Sequence, residues 1–390
     1  MKVVLHVGMT KTGSTSIQHV LAENREALKA KRVSFTQTMG VKGSQFHLYM
    51  RNCFEKPDML KVVPERYHRW GPHDALAARE FDQRFANEIE GTDTTIISSE
   101  VLWEWCNSDV AVQSIVGYLR KWFDQVNVVV YLRRQDLHLT SMWTQVIRTG
   151  QSLSFDSFEE RETLSGYHNY SDRLGLWANA IGSASITVCP FERGQLFESD
   201  VVRDFLKRTE IKLEGRDHFE KRNQRVSAEV AAYLRDLNEA AQHIDAEGSL
   251  TRIRKRQMHI MQAFSKNCPV VALSERRART IIERYEQQNQ HVAREYLGRD
   301  DGVLFRDPID TNLTDFFGSI EPKRAAELAC LLMVGTEELT QQEKQKLAKL
   351  AADRKKLKAR VADLQYQLKD IRQVNQNLRA KLASLAEKDC

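Results

Sequence analysis

Lys2-Val3-Val4-Leu5-His6-Val7 is a short, mostly apolar run. After a glycine-bearing stretch, Ile17, Val20, Leu21, Ala27 and Leu28 recur at helical spacing, which predicts a helix over about 16–31. The alternation continues along the chain. Residues 33–35, 94–99, 126–132 and 184–191 read as strands, and 74–90, 109–123, a stretch from about 136, 167–181 and 201–208 read as helices. The run 126–132 is almost continuously apolar, as in a central parallel strand covered on both faces. Strand and helix in turn predict an α/β fold with a doubly wound parallel sheet. From about 215 to 330 the pattern becomes mainly helical, with helices expected over 228–240, behind Ser227 as N-cap, and 274–297, then a turn at 298–302. Residues 40–75 show no regular period and are rich in polar aromatics: His47, Tyr49, Tyr67, His68, Trp70 and His73. They suit one wall of an acceptor cleft, or equally a surface excursion packed by its own rings.

The tail has a different period. Leu350, Leu357, Leu364, Ile371, Leu378 and Leu385 recur every seven residues, with Leu347, Arg354, Val361, Leu368, Asn375 and Leu382 three positions before them. These are the d and a positions of a C-terminal coiled coil. Asn375 at an a position favours a parallel homodimer in register, and Asp353 with Lys358 of a partner copy is the one clear attractive flanking pair. A single amphipathic helix folded on the body is the competing structure. The organisation expected is an α/β domain over 1–335 and a coiled coil over 336–390.

Composition narrows the class. The net charge is +5, but residues 336–390 hold 13 Lys and Arg against 8 Asp and Glu, so the body is balanced. A neutral body does not suit a general nucleic-acid binder. No apolar run approaches the roughly 20 residues of a membrane span. The start of the chain lacks a signal-peptide pattern. Six scattered cysteines without a CxxC pair fit a reducing cytoplasm and give no metal signature.

The candidate chemistry sits at strand ends. Between the first strand and helix lies Gly8-Met9-Thr10-Lys11-Thr12-Gly13-Ser14-Thr15. A glycine loop running into a helix N-terminus cradles phosphate through backbone N–H groups and the helix dipole. A Walker A loop would place lysine directly after the second glycine. Here Ser14 follows Gly13, and Lys11 lies inside the loop, where an ammonium can neutralise charge on a departing oxygen. An ordinary strand–turn–helix entry with hydroxyl caps is the plainer alternative. Arg133 and Arg134 end the strand 126–132, with Ser141 and Gln145 in the next helix, and predict a second anion site. Glu100 ends the strand 94–99, on the same edge if the strands are parallel, though it also suits the first turn of the following helix. Lys221-Arg222-Asn223-Gln224-Arg225 is a basic patch that can reach over a nucleotide or simply be solvated.

The two strand-end motifs together resemble those of the sulfotransferases that use 3′-phosphoadenosine 5′-phosphosulfate (PAPS). The run from His6 to Gln18 looks like the family's 5′-phosphosulfate loop, and Tyr131 to Gln145 like its 3′-phosphate motif, with Arg133 and Ser141 at the family's interval. Weaker likeness to bacterial, carbohydrate-modifying members runs through Trp177, Pro190-Phe191 and Tyr296 to Phe305. The resemblance implies a P-loop-like version of the doubly wound sheet, and sulfuryl transfer from PAPS to an acceptor hydroxyl, expected on a carbohydrate or glycoconjugate, without a metal. Lys11 would stabilise the leaving phosphate. Thr12, Gly13, Ser14 and Thr15 would hold the 5′-phosphate, and Arg133 and Ser141 the 3′-phosphate. Glu100 would be the general base, with His47 and His6 as runners-up. The Arg-Lys-Gly element of the cytosolic members has no counterpart, and the patch 221–225 is the candidate substitute. A nucleotide kinase or NTPase, and a coiled-coil scaffold with a vestigial α/β body, are the competing classes.

Overall fold

The computed structural model describes residues 1–40, 44–213, 226–242, 260–265, 268–313 and 320–335, together with isolated positions at 257, 315, 317 and between 337 and 360. The basic patch 221–225 and nearly all of the predicted coiled coil lie outside the described residues. The chain divides into two compact units, Met1–Ala246 with Ser265–Ile320, and Glu247–Phe264 with Glu321–Cys390. In the second unit, residues 322–335 are helical and the Arg324 guanidinium lies 4.4 Å from the Phe264 ring centroid.

The first unit is mixed α/β around a five-stranded sheet of order β2-β3-β1-β4-β5, with every neighbouring pair parallel. The strands are β1 (Lys2–Val7), β2 (Val33–Phe35), β3 (Thr94–Ser99), β4 (Gln125–Leu132) and β5 (Ile186–Pro190). The helices before β4 are α1 (Ser14–Glu23), α2 (Arg25–Ala30), α3 (His47–Glu55), α4 (Ala75–Ile89), α5 (Val101–Trp105) and α6 (Asp109–Leu119). After β4 come α7 (Gln135–Arg148), α8 (Phe155–Leu164), α9 (Tyr170–Ile181), α10 (Val201–Arg208) and α11 (Ala228–Gln242), then helices Glu275–Arg284 and Glu286–Leu297.

Both sheet faces are covered, which explains why β1 and β4 are mostly apolar. Side chains alternate across a strand. Val3, Leu5 and Val7 of β1 join Val128, Val130 and Leu132 of β4 in one cluster with Phe85, Trp103, Leu119 and Trp177. Val4, Val129 and Tyr131 point the other way, against Ile17 and Leu21 of α1 and Phe205 of α10.

Three expected helices are interrupted or end early. The helix over 16–31 breaks at Asn24, whose side-chain amide donates to the Val20 carbonyl and ends α1. The helix over 274–297 breaks at Tyr285, and that over 109–123 ends at Leu119. Within 40–75 the chain forms α3 and two 3₁₀ turns, Pro57–Val62 and Glu65–Trp70. Trp70, His47, Phe46, Tyr67 and Trp105 pack on one another, and Trp70 keeps 44% of its surface exposed.

The order places β1 between β3 and β4, so successive crossovers leave it in opposite directions. Its carboxyl end is a topological switch point, where the crevice of an open α/β sheet receives ligands. The β1–α1 loop, the β3 end and the β4 end meet there.

Candidate functional site

The loop Gly8–Gly13 is built to approach something closely. Gly13 has φ 85°, and a Cβ there would lie 2.7 Å from Val201 Cγ1, so both conformation and space require glycine. At Gly8 a Cβ would lie 2.9 Å from Ser14 Oγ and 3.3 Å from Glu100 Cγ. Lys11 itself takes φ 63°, a left-handed conformation held by its surroundings. Thr12 is buried and its hydroxyl donates to the Met9 carbonyl at 2.6 Å, so it braces the loop from inside. The Ser14 hydroxyl donates to the same carbonyl at 3.3 Å and also bonds the Glu100 carboxylate. Thr15 is exposed at the start of α1. Gly13, at the N-cap, offers no side chain to the first turn of α1, and with the Ser16 amide on the Gly13 carbonyl this leaves the Ser14 and Thr15 N–H groups for an anion.

Arg133 Nη1 donates to the Lys11 carbonyl at 3.1 Å, which ties the end of β4 to the loop. Tyr170 anchors Arg133 in turn, its hydroxyl donating to the Arg133 carbonyl at 2.5 Å. The Lys11 ammonium bonds the Gln145 side-chain carbonyl of α7. Burial pushes the Lys11 pKa down to about 8, helped by the nearby charges of Arg148 and Arg133 and opposed by Glu100. Glu100 shifts the other way. Burial raises its pKa, and the Ser14 hydroxyl and Lys11 ammonium pull it partly back. Arg133 and Glu100 each lie close enough to Lys11 for their charges to act on it, in opposite directions.

The remaining expected residues separate. Arg134 is buried in a two-pronged salt bridge to Asp136, at 2.8 and 3.0 Å, and donates to the Asp307 carbonyl at 2.5 Å. It straps the segment around 307 onto the sheet and is not available to a ligand, which corrects the expectation of two ligand-binding arginines. Glu192 holds the same segment, accepting from the Arg306 and Asp307 amides at 2.6 and 3.1 Å. Ser141, partly buried on α7, has no hydrogen-bond partner among the described residues. His6 is fully buried against Tyr131 and Phe205, bonds Ser98 Oγ at 2.8 Å, and burial lowers its pKa to about 3, which marks a structural residue. His47 is partly buried, with Nδ1 3.2 Å from the Thr38 carbonyl and its ring stacked on Trp70.

Sequence reasoning missed a set of residues under the loop. Thr10 is held by His138, Met142 and Tyr167: its carbonyl lies 3.0 Å from His138 Nε2, its hydroxyl donates to Met142 Sδ at 2.9 Å, and its amide donates to Tyr167 Oη at 3.3 Å. His138 Nδ1 lies 2.8 Å from His168 Nε2. The available signal was the spacing of His138, Met142 and Gln145, i, i+4 and i+7 on one face of α7. His168 had no local signal. Among the described residues, no group of three or more His, Cys, Asp or Glu side chains is placed to hold a metal ion, and no helix is long and apolar enough to cross a membrane.

No family model matches the chain. An uncharacterized protein of Archaeoglobus fulgidus is 27% identical over 177 residues, covering 44% of this chain. The chain spans about half the length of that relative, with 46% of it aligned. Among solved structures, a crystal structure of a sulfotransferase from Alicyclobacillus acidocaldarius is similar at 13% identity and a TM-score of 0.38, covering 64% of this chain and 95% of that one. A likeness at that score is too loose to assign chemistry, which has to come from the residues themselves.

Proposed function

We propose that this protein transfers a sulfuryl group from PAPS to an acceptor hydroxyl on a carbohydrate or glycoconjugate. The observation that carries the reading is the direct bond between Arg133 and the Lys11 loop, with Glu100 beside the Lys11 ammonium. One nucleotide bearing a 3′-phosphate and a 5′-phosphosulfate suits these two cationic points, which belong to adjacent strand ends.

In this reading the N–H groups of the loop and the backbone N–H groups of Ser14 and Thr15, with the exposed Thr15 hydroxyl, take the 5′-phosphate, while the Ser14 hydroxyl stays on the Met9 carbonyl and Glu100. Thr12 serves indirectly, by bracing the loop. Arg133 takes the 3′-phosphate, and Ser141, with its hydroxyl unengaged, lies on the helix that follows. Glu100 accepts the acceptor's proton as the acceptor oxygen bonds to sulfur. The bond from sulfur to the bridging oxygen breaks, and the Lys11 ammonium stabilises the charge on that oxygen. Lys11 leaves Gln145 to do so. The product nucleotide is adenosine 3′,5′-bisphosphate. The exposed Trp70 face, with its segment joined to the β3 end through Gln45 and Ser98, is the acceptor side.

Transfer of labelled sulfate from PAPS to a panel of glycans tests the reading. Lys11→Ala is expected to lower kcat by about 10²–10³-fold, the usual loss for one oxyanion-stabilising group. Arg133→Ala is expected to weaken bisphosphate binding by about tenfold or more. Normal transfer in both variants rejects these roles. Tight Mg²⁺-dependent ATP binding, with no affinity for adenosine 3′,5′-bisphosphate, points instead to a kinase or NTPase.

A further inference from the structure

Among the described residues Arg148 has no carboxylate partner. It closes α7, and its Nε is buried with no hydrogen-bond partner. The other partly or fully buried arginines of the unit reach a carboxylate or, like Arg25, Arg173 and Arg299, carbonyl oxygens. Arg51 is paired with Asp82 and Glu55, Arg134 with Asp136, Arg208 with Asp204, and Arg277 with Asp156 and Glu159. Arg148 is partly exposed, and its buried Nε is the atom left without a partner, which carries a desolvation cost.

Its position is defined. Ser141, Gln145 and Arg148 are spaced i, i+4 and i+7, so they share one face of α7. Gln145 on that face holds the Lys11 ammonium. Arg148 lies about 4.5 Å further along the helix axis than Gln145, at the end remote from Arg133. Its charge is felt at Lys11, where it is the largest influence after burial. The end of α7 is fixed, because buried Asn238 of α11 donates to the carbonyls of Ile147 and Gln151 at 2.7 and 2.6 Å.

We propose that Arg148 binds a second oxyanion, on the far side of Lys11 from Arg133. The inference rests on the sulfuryl-transfer reading for what that oxyanion belongs to, but not for its existence. Two molecules bring such a group there: the donor, through the sulfuryl oxygens being transferred, and an acidic acceptor, through a sulfate or carboxylate of its own. A neutral acceptor brings none.

The test compares the full chain with Arg148→Gln and Arg148→Lys. Three readouts are taken: calorimetric affinity for adenosine 3′,5′-bisphosphate, steady-state transfer to neutral and acidic glycans, and the rise in Tm on adding sodium sulfate. Arg148→Gln is expected to fold normally, since it removes an unpaired cation. Transfer should fall about tenfold or more while bisphosphate affinity stays within about twofold, because that nucleotide lacks the sulfuryl group. A fall in kcat with every acceptor assigns the oxyanion to the donor, and a rise in KM confined to acidic glycans assigns it to the acceptor. Arg148→Lys should recover part of the loss, as charge without the planar fork. Sulfate raises Tm in general by exclusion from protein surface, so the readout is the excess in wild type over Arg148→Gln. An equal rise in both, or a loss of bisphosphate affinity matching the loss of transfer, overturns the proposal. If wild type does not bind the bisphosphate, the sulfuryl-transfer reading has failed, and the sulfate comparison still decides Arg148.

Discussion

Glu100 and Lys11 are displaced from their ordinary pKa values in opposite directions, and both shifts narrow the pH range in which the site can work. A general base must be ionised to accept a proton, so activity rises as pH climbs through the Glu100 pKa. Burial has raised that value, so the acid limb of kcat/KM should lie above the usual carboxylate range. Lys11 must be protonated to stabilise the leaving oxygen, so activity falls as pH passes its pKa, about 8 in the free protein. A bell-shaped profile of kcat/KM is expected. Glu100→Gln should lose the acid limb and about 10²–10⁴-fold in rate. Lys11→Arg should move the alkaline limb out of range. An unchanged acid limb in Glu100→Gln would place the base elsewhere, with His47 next to examine. The neighbouring arginines show what one-dimensional reading misses at this scale. Arg133 and Arg134 are equivalent as letters, but Asp136 two positions on captures the second and leaves the first facing the loop.

At the scale of elements, the sheet was legible because its signal is redundant. Mostly apolar runs on β1 and β4, the β-branched stretch of β3 and the helices between them fix a parallel sheet, and the parallel sheet puts strand ends with Lys11, Glu100 and Arg133 on one edge. The breaks at Asn24 and Tyr285 were not legible, since the apolar spacing runs through them. The support beneath the loop was hidden because it joins α7 to the stretch before α9, thirty residues apart. That support has a direction. The Thr10 carbonyl can only accept, so His138 Nε2 donates to it. His138 Nδ1 must then accept from His168 Nε2, which leaves His168 Nδ1 bare, and that atom is buried without a partner. Both rings are neutral, since burial lowers His168 to about 3 and His138 far below its usual value. His168→Ala removes the donor and strands His138 Nδ1, at a cost of about 1–3 kcal/mol. His168→Gln keeps an N–H in reach and should recover most of it. Denaturant unfolding measures both, and donor affinity should fall in parallel with the Ala variant's stability. An Ala variant as stable as wild type would show that the histidine pair does not hold the loop.

For the whole molecule, the heptads of residues 347–385 remain a reading of the sequence alone, and they carry a definite expectation. The a and d positions form a seam one residue wide on each side, too narrow to cover a globular face but suited to a second helix of the same kind. Asn375 at an a position is worst placed when it faces an apolar residue and best when it meets Asn375 of a second copy, which fixes parallel register. Dimerisation should therefore reside in the tail and not in the α/β unit, whose two sheet faces are already covered by its own helices. In the full chain, Leu364→Glu with Leu368→Glu puts charge at adjacent d and a positions and should convert a dimer to a monomer by light scattering. Truncation after residue 335 should do the same. Neither change touches the β1–α1 loop or the β4 end, so affinity for adenosine 3′,5′-bisphosphate should stay within about twofold, as for sites that share no partners. A truncated protein that still dimerises would place the contact within residues 1–335. The seam would then be left to pack on the body or to receive a different chain.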